Sequence, residues 1–485
     1  MPETGHPLRV YTLDGLPAEV VAVAFAKTSR VPDPFDAIAR ELTEADSSRF
    51  HEKWVVGYGH SSVAEHAVLS IAVENLSVLA AKVLEENRLS SFTEKSTRYQ
   101  VMDGSNYHTP PAFSDGRPAA AYRGAVTALF AAYADAVREA RAWCEREAAE
   151  RPTEGAPSPS ARACDMVRCL LPAAAKTNVG WTVNARSLGH AVVKMASHEL
   201  SEVREIAREL KRVAGAKLPT LLRHTEASPY LAAWEERVNA AAPGRSPVRG
   251  GRGAESGADG VRLVRHDPDG EERVLAALLF RATGRSYADA RAAVADMNEK
   301  ARRALLDASL RGIGGHEAPV REFESAGYTF EIVVDFGAYR DIQRHRMTSQ
   351  TRQLLGVELG YAIPDDARAA GVAGRVERAL DEARERCREL AAIDPVHAQY
   401  AVPLAFNQRF LISMNFREAY QFVRLRSRSG GHESYRRVAR AVKREIERAH
   451  PLLGALIPAG DAGAPDGRAQ CAAAQAEGGP RPART

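Results

Sequence analysis

No apolar run in this 485-residue chain approaches the roughly 18–20 residues that cross a bilayer, so a helical membrane protein is excluded. Cysteine is scarce. The five present (Cys144, Cys164, Cys169, Cys387, Cys471) are odd in number and form no C-x-x-C pair, which fits reduced thiols in a cytosolic protein. Cys164 and Cys169 read as half-buried helical thiols ahead of a nucleophile or ligand pair. Excess charge is missing as well: 66 basic against 62 acidic residues leave +4, too balanced for a dedicated nucleic-acid binder. Aromatic residues for base stacking are not interleaved with the arginines of 344–352 or 424–428, which argues against RNA. The start, Met1-Pro2-Glu3-Thr4-Gly5, lacks a charged region followed by an apolar stretch, so no signal peptide is expected.

What is present is a chain too long for one core, with 45% apolar and 26% charged residues, ordinary for a globular protein. Residues 240–259, rich in Ala, Pro, Gly and Arg, read as a linker, and residues 459–485 as a disordered tail. This leaves two blocks, 1–239 and 260–458, and they match. Leu8-Arg9-Val10 and Glu19-Val20-Val21-Ala22 have counterparts in Val261-Arg262-Leu263 and Glu272-Arg273-Val274-Leu275. Gly59-His60-Ser61-Ser62 corresponds to Gly315-His316-Glu317-Ala318, and each is followed by an apolar segment that ends in an Arg-bearing turn. Pro172 precedes Asn184 by twelve residues and Pro403 precedes Asn415 by twelve. Four matches in one order indicate a duplication.

Val10, Val20 to Phe25 and Leu69 to Glu74 suggest strands. The spacing of Leu76, Leu79, Ala80, Val83 and Leu84 predicts a helix. Helices are also expected over 119–151, 182–213, 287–310, 376–390 and 415–450. The fold class expected is α+β, twice.

Three polar constellations stand out. Arg344-His345-Arg346-Met347-Thr348-Ser349 sets two guanidinium forks beside an imidazole, an anion seat if it is more than a solvated basic turn. In Ser91-Phe92-Thr93-Glu94-Lys95-Ser96-Thr97-Arg98-Tyr99, an extended chain points Glu94, Ser96 and Arg98 one way, which suits a sugar hydroxyl and a phosphate; a polar turn with a capping Glu is the plain alternative. If 415–450 is one helix, Asn415 and Arg426 share a face and Arg417 and Gln421 a neighbouring one. Gly59-His60-Ser61-Ser62-Val63-Ala64-Glu65-His66 lacks the one-turn histidine spacing of a zinc helix, so no metal is expected there.

Together these motifs resemble the flavin-dependent thymidylate synthases (ThyX family), whose signature joins R-H-R-x-x-S, E-x-S-x-R, an upstream G-H-x-S-x-x-E-H and an R-x-x-x-P before N-x-R. The chain departs from that pattern in a complementary way. Block two keeps Arg344-His345-Arg346, Asn415, Arg417 and Arg426, but lacks E-x-S-x-R and has Gln399 in place of an arginine. Block one keeps Ser62, Glu94, Ser96, Arg98 and Arg168, but has Glu86-Asn87 in place of Arg-His and Lys194 or Met195 at the Arg426 position. The resemblance implies a fused pseudo-dimer with one complete composite site and one degenerate site. It implies FAD held by Ser62, Glu94, Arg344, His345, Arg346, Asn415, Arg417 and Gln421. The nucleotide dUMP would be held by Glu94, Ser96, Arg98, Tyr99, Arg168, Arg344 and Arg426, with Arg426 catalytic, stabilising the pyrimidine anion. NADPH and methylenetetrahydrofolate are the implied co-substrates, and a homodimer of the double-length chain in the cytoplasm is the implied assembly. A methylase of another uridine nucleotide and a non-catalytic relative are the competing readings.

Overall fold

The computed structural model describes residues 9–152, 157–242, 258–315 and 317–460. The expectations placed on Met1–Gly5, most of the 240–259 linker, His316 and the tail after Gly460 lie outside the described residues. Packing divides the chain into two units: residues up to 95 with 176–245, and residues 96–175 with 246 onward.

The first unit holds a three-stranded antiparallel sheet of β1 (Val68–Ser77), β2 (Ser90–Glu94) and β3 (Lys176–Asn184), with β3 in the middle. Along β3, Thr177, Val179, Trp181 and Val183 are buried in strict alternation, the period that makes it a strand. The chain leaves β1 directly into the Val78–Leu84 helix, capped by the Ser77 hydroxyl, and leaves β3 into the Ala185–Ala196 helix, capped by the Asn184 amide oxygen.

The second unit repeats that plan. Its sheet orders β4 (Val261–His266), β5 (Gly327–Asp335), β7 (Asn407–Asn415) and β6 (Ser349–Arg352) as β4-β5-β7-β6. Asp335 caps the Phe336–Gln343 helix after β5, and Asn415 caps the Phe416–Arg426 helix after β7. In both sheets the first residue of the long strand paired with the asparagine-ended strand faces the capping asparagine: Val68 of β1 opposite Asn184, and Gly327 of β5 opposite Asn415. In both, a helix-borne glutamate closes the end of the unit. Glu19 accepts from the amides of Thr220 and Leu221, and Glu271 from those of Leu452 and Leu453. The fold is α+β, and the same plan occurs twice in tandem.

The second unit adds two long helices, Gly116–Glu150 and Ala373–Ile393, which pack together, with Arg375 bridging to Asp135 and Glu139. Residues 169–174 and 400–405 pair about a local pseudo-twofold at Pro172 and Pro403. The Ala173 amide donates to the Val402 carbonyl, and the Leu404 amide to the Leu171 carbonyl. One step further out, Ala174 donates to Tyr400 and Ala405 to Cys169. The pattern is self-complementary, residue for residue, as in an isologous interface.

Several expected elements differ. Val20 to Phe25 lies in the Ala18–Lys27 helix, because Val20, Ala22, Val23 and Ala24 bury one continuous side of an alanine-rich segment. The helix expected over 182–213 begins as strand β3 and then breaks into Ala185–Ala196 and Ser201–Gly215. The helix expected over 287–310 is split into Tyr287–Ala295 and Glu299–Ser309, the second capped by the Asn298 amide oxygen. That over 415–450 is interrupted between Arg426 and Glu433, where Ser429, Gly430 and Gly431 cannot sustain it. No helix among the described residues is long and apolar enough to cross a membrane.

Candidate functional site

The R-H-R turn sits at the C-terminal end of the Phe336–Gln343 helix, a segment whose apolar residues are buried and whose last turn carries Arg340 and Asp341. Asp341 lies one turn before Arg344, so its carboxylate faces the turn, 3.6 Å from the Arg344 guanidinium. His345 is buried, with its ring edge-on to Phe422 at 4.9 Å. Arg426, eleven residues along the Phe416–Arg426 helix, donates from Nε to His345 Nε2 at 3.0 Å and from Nη2 to the Asp341 carbonyl at 2.6 Å. An arginine has no lone pair to offer, so His345 Nε2 is the acceptor and its proton sits on Nδ1, donated to Glu418 at 3.2 Å. Burial pushes the His345 pKa below its usual value, Arg426 adds to that, and Glu418 opposes it. The imidazole is thus a neutral prop that fixes the plane of Arg426 over the ring of Tyr435, 5.3 Å away.

Residues 96–175, from the first block, complete the cluster inside the same packing unit. Arg98 donates to Asp165 at 2.8 Å, and Arg168, 4% exposed, reaches the other Asp165 oxygen at 3.1 Å and Asp341 at 3.8 Å. The buried Thr97 hydroxyl accepts from both Arg168 and Arg340 at 3.4–3.5 Å. Burial raises the Asp341 pKa, but Arg168, Arg426, Arg340 and Arg344 outweigh it and the net shift is downward; Asp165 behaves likewise under Arg168, His432 and Arg98. Burial opposes the charge on Arg98, yet Asp165 restores it and leaves the pKa above the ordinary guanidinium value. For Arg426 burial prevails over Asp341, and the nearby Arg344 charge adds to the downward shift. Arg98 Nε and Arg168 Nη2 are buried without a hydrogen-bond acceptor. Guanidiniums that repel one another and hold unused donors make a seat for an added anion.

The structure therefore brings together Arg98, Arg168, Arg344, His345 and Arg426. Ser96 lies beside them in sequence, its hydroxyl accepting from the Arg98 amide, and exposed Tyr99 lies 5.9 Å from the Arg98 guanidinium. Arg346 is half-buried next to His345. Glu94 and Ser62 belong to the first unit. There Glu94 ends β2 and is held at 3.0 Å by Lys82, which is fully buried, while Ser62 is exposed in a short 3-10 turn. After Ser96, Thr97, Arg98 and Tyr99 fold into a turn rather than continuing the expected extended edge. Asn415 is not on a helix face with Arg426. It ends β7, and its amide oxygen is spent capping the Glu418 amide. Arg417 donates to the Pro319 carbonyl and pairs with Glu324, bracing the loop before β5, while Gln421 accepts from Arg424, which itself donates to the Glu317 carbonyl in that loop.

The residues missed from sequence are Asp165, Asp341, Thr97, Arg340, His432 and Tyr435. Asp165 and Asp341 each stand three residues before an arginine already singled out, the one-turn spacing that would have found them. No metal-holding cluster of His, Cys, Asp or Glu occurs among the described residues.

A family model described as "Thymidylate synthase complementing protein" matches residues 12–220 and again 262–452. A "UPF0159 protein" of Chlamydia muridarum is 30% identical over 488 aligned positions, spanning 92% of this chain and 91% of that one. Another "UPF0159 protein", from Thermoplasma acidophilum, is 28% identical over 89% of this chain and 93% of its own length. A "Flavin-dependent thymidylate synthase" of Geobacter sulfurreducens is 27% identical over 220 positions, covering 44% of this chain and 86% of that protein. A single-length relative matching less than half of this chain, beside full-length relatives of double size, agrees with the repeated fold. The chain belongs to the thymidylate synthase complementing protein (ThyX) family and carries that family's domain twice in tandem.

Proposed function

We propose that this chain is a flavin-dependent thymidylate synthase with one composite site, methylating dUMP to dTMP with methylenetetrahydrofolate as carbon donor and NADPH as reductant. The observation that carries the reading is the seat in which Arg98 and Arg168 of the first copy and Arg344 and Arg426 of the second surround Asp165 and Asp341. Arg98 and Arg168 hold the nucleotide phosphate, using the buried donors that lack an acceptor. Arg426, aligned by His345 and the Asp341 carbonyl, lies against the pyrimidine and stabilises the negative charge that develops as N3 loses its proton. Ser96 and Tyr99 flank the sugar.

The donor set fits FAD. Arg344 is 54% exposed and its ion pair with Asp341 is stretched to 3.6 Å, so it retains capacity for the cofactor's phosphates, with Arg346 beside it. Asn415 and Arg417 shape this end of the site through the helix cap and the braced loop, with Gln421 on the same helix. Bound FAD, reduced by NADPH, supplies the hydride that completes the methyl group. The working assembly is a homodimer of this double-length chain in the cytoplasm.

Purified protein saturated with FAD and desalted is expected to retain about one flavin per chain by absorbance, and then to convert dUMP to dTMP. Two flavins per chain would mean a second working site, and none would leave a nucleotide-binding relative without flavin chemistry.

A further inference from the structure

Next to the seat lies a cavity of about 490 Å³, within the roughly 300–1,000 Å³ of small-molecule sites. One wall is the Glu433–Ala449 helix, which presents Arg436, Arg440 and Arg444 at four-residue intervals, with Arg437 alongside. At 1.5 Å per residue these cations span about 12 Å. Arg162 lies in the lining too, paired with Glu147, and Arg444 is paired with Asp259. Arg437 and Arg440 have no ion-pair partner among the described residues, and Arg436 Nε is buried without an acceptor. The lining also carries Asp165, Asp366 and Glu433, and with Arg162 and Arg444 tied to Glu147 and Asp259, the cations of the wall left for a ligand are Arg437 and Arg440. Asp165 is the carboxylate that Arg98 and Arg168 hold from the other side, so the cavity begins where the seat for the first phosphate ends.

We infer that this cavity is a polyphosphate subsite, taking the second and third phosphates of a nucleotide whose first phosphate sits on Arg98 and Arg168. The inference rests on the proposed nucleotide reading for its starting point. A line of guanidinium forks suits linked phosphates, whereas a single phosphate would need one fork or two. Because Arg437 and Arg440 are solvent-facing and touch none of the groups in the seat, changing them leaves the seat intact.

Calorimetric titration of the full chain with dUMP, dUDP, dUTP and inorganic tripolyphosphate tests this, alongside an Arg437→Ala/Arg440→Ala variant checked for an unchanged Tm. Expected is dUTP binding at least about tenfold tighter than dUMP, a gain that the variant loses while its dUMP affinity stays the same. Equal or weaker binding of dUTP, or a gain that survives in the variant, overturns the subsite while leaving dUMP binding as it is. Tripolyphosphate binding that the variant abolishes supports the subsite even if dUMP fails to bind, which would instead sink the synthase reading. Tighter binding of tri-γ-glutamate than of tripolyphosphate would reassign the cavity to polycarboxylates and overturn the proposal.

Discussion

The two copies of the domain treat the same positions in opposite ways. In the second copy, the turn after the sheet-capping helix carries Arg344, and the long helix ends in Arg426, two cations whose charges oppose one another. In the first copy the equivalent turn carries Glu86, and Lys194 on the equivalent helix pairs with it directly. The arginine four residues before the pairing proline shows the reverse. Arg168 of the first copy is buried among carboxylates with a donor left over, whereas its counterpart Gln399 is buried and satisfied on both sides, accepting from the Leu355 amide and donating to the Val396 carbonyl. Other pairs are kept alike, as in Glu65 with Arg186 and Glu324 with Arg417. Where a copy lacks a site residue, the replacement neutralises itself. Where it keeps one, charge is left for something outside the chain.

The largest effect is therefore expected from breaking the asymmetry at the cationic half. Arg98→Ala and Arg426→Ala, one from each copy, should each lower kcat/KM by about 10²–10³, the loss typical of removing a donor aimed at developing charge. Glu86→Ala and Lys194→Ala should stay within about twofold, since a part-exposed ion pair contributes ~0–1 kcal/mol and touches no substrate. Steady-state kinetics with dUMP on the four variants makes the comparison. If Lys194→Ala is as damaging as Arg426→Ala, the first copy holds a second site and the one-site reading is wrong.

The duplication was legible because it survives in short motifs at fixed intervals. So were Arg98, Arg168, Arg344 and Arg426, which stand in those motifs. The end of β3 was hidden because it runs straight into a helix through its capping Asn184, so the helix expected from 182 took in its last residues, and β7, which ends at the capping Asn415, was not read as a strand at all. The long-range partners were hidden for a different reason. Asp165 and Asp341 are 176 residues apart, and only the fold shows that Arg168 reaches both. Asn415 was misread because a conspicuous amide at a helix start has two uses, ligand contact and capping, and the geometry shows it serving as the cap.

A smaller effect tests the retired half of the second copy. Gln399→Leu keeps roughly the same bulk but orphans the Leu355 amide in the interior, which should cost about 1–3 kcal/mol. Urea unfolding of the variant should show a lower midpoint, with dUMP affinity unaltered. Unchanged stability with weakened nucleotide binding would return Gln399 to the site and make the loss of its arginine a substitution in function, not a retirement.

The smallest effect separates the copies by pH. His345 accepts from Arg426 at Nε2, so a second ring proton would point at a guanidinium, and burial already holds its pKa below the usual 6.5. Below that value the unfolded chain takes up a proton that the folded His345 refuses, so stability falls as pH drops from about 6.5 to the folded pKa. Each such histidine adds a slope of at most about 1.4 kcal/mol per pH unit. His51, His432 and His450 are depressed by burial as well and share the wild-type slope. The first copy has Asn87 where the second has His345, its amide donating to the Leu84 carbonyl at 2.7 Å and titrating nowhere in this range. His345→Asn imports that residue. Urea unfolding between pH 5.5 and 7.5 should then show a shallower loss of stability on the acid side than in the parent chain. Superimposable slopes would mean that His345 takes up its proton in the folded state, which its bond from Arg426 forbids, and the tautomer assigned here would have to be reversed.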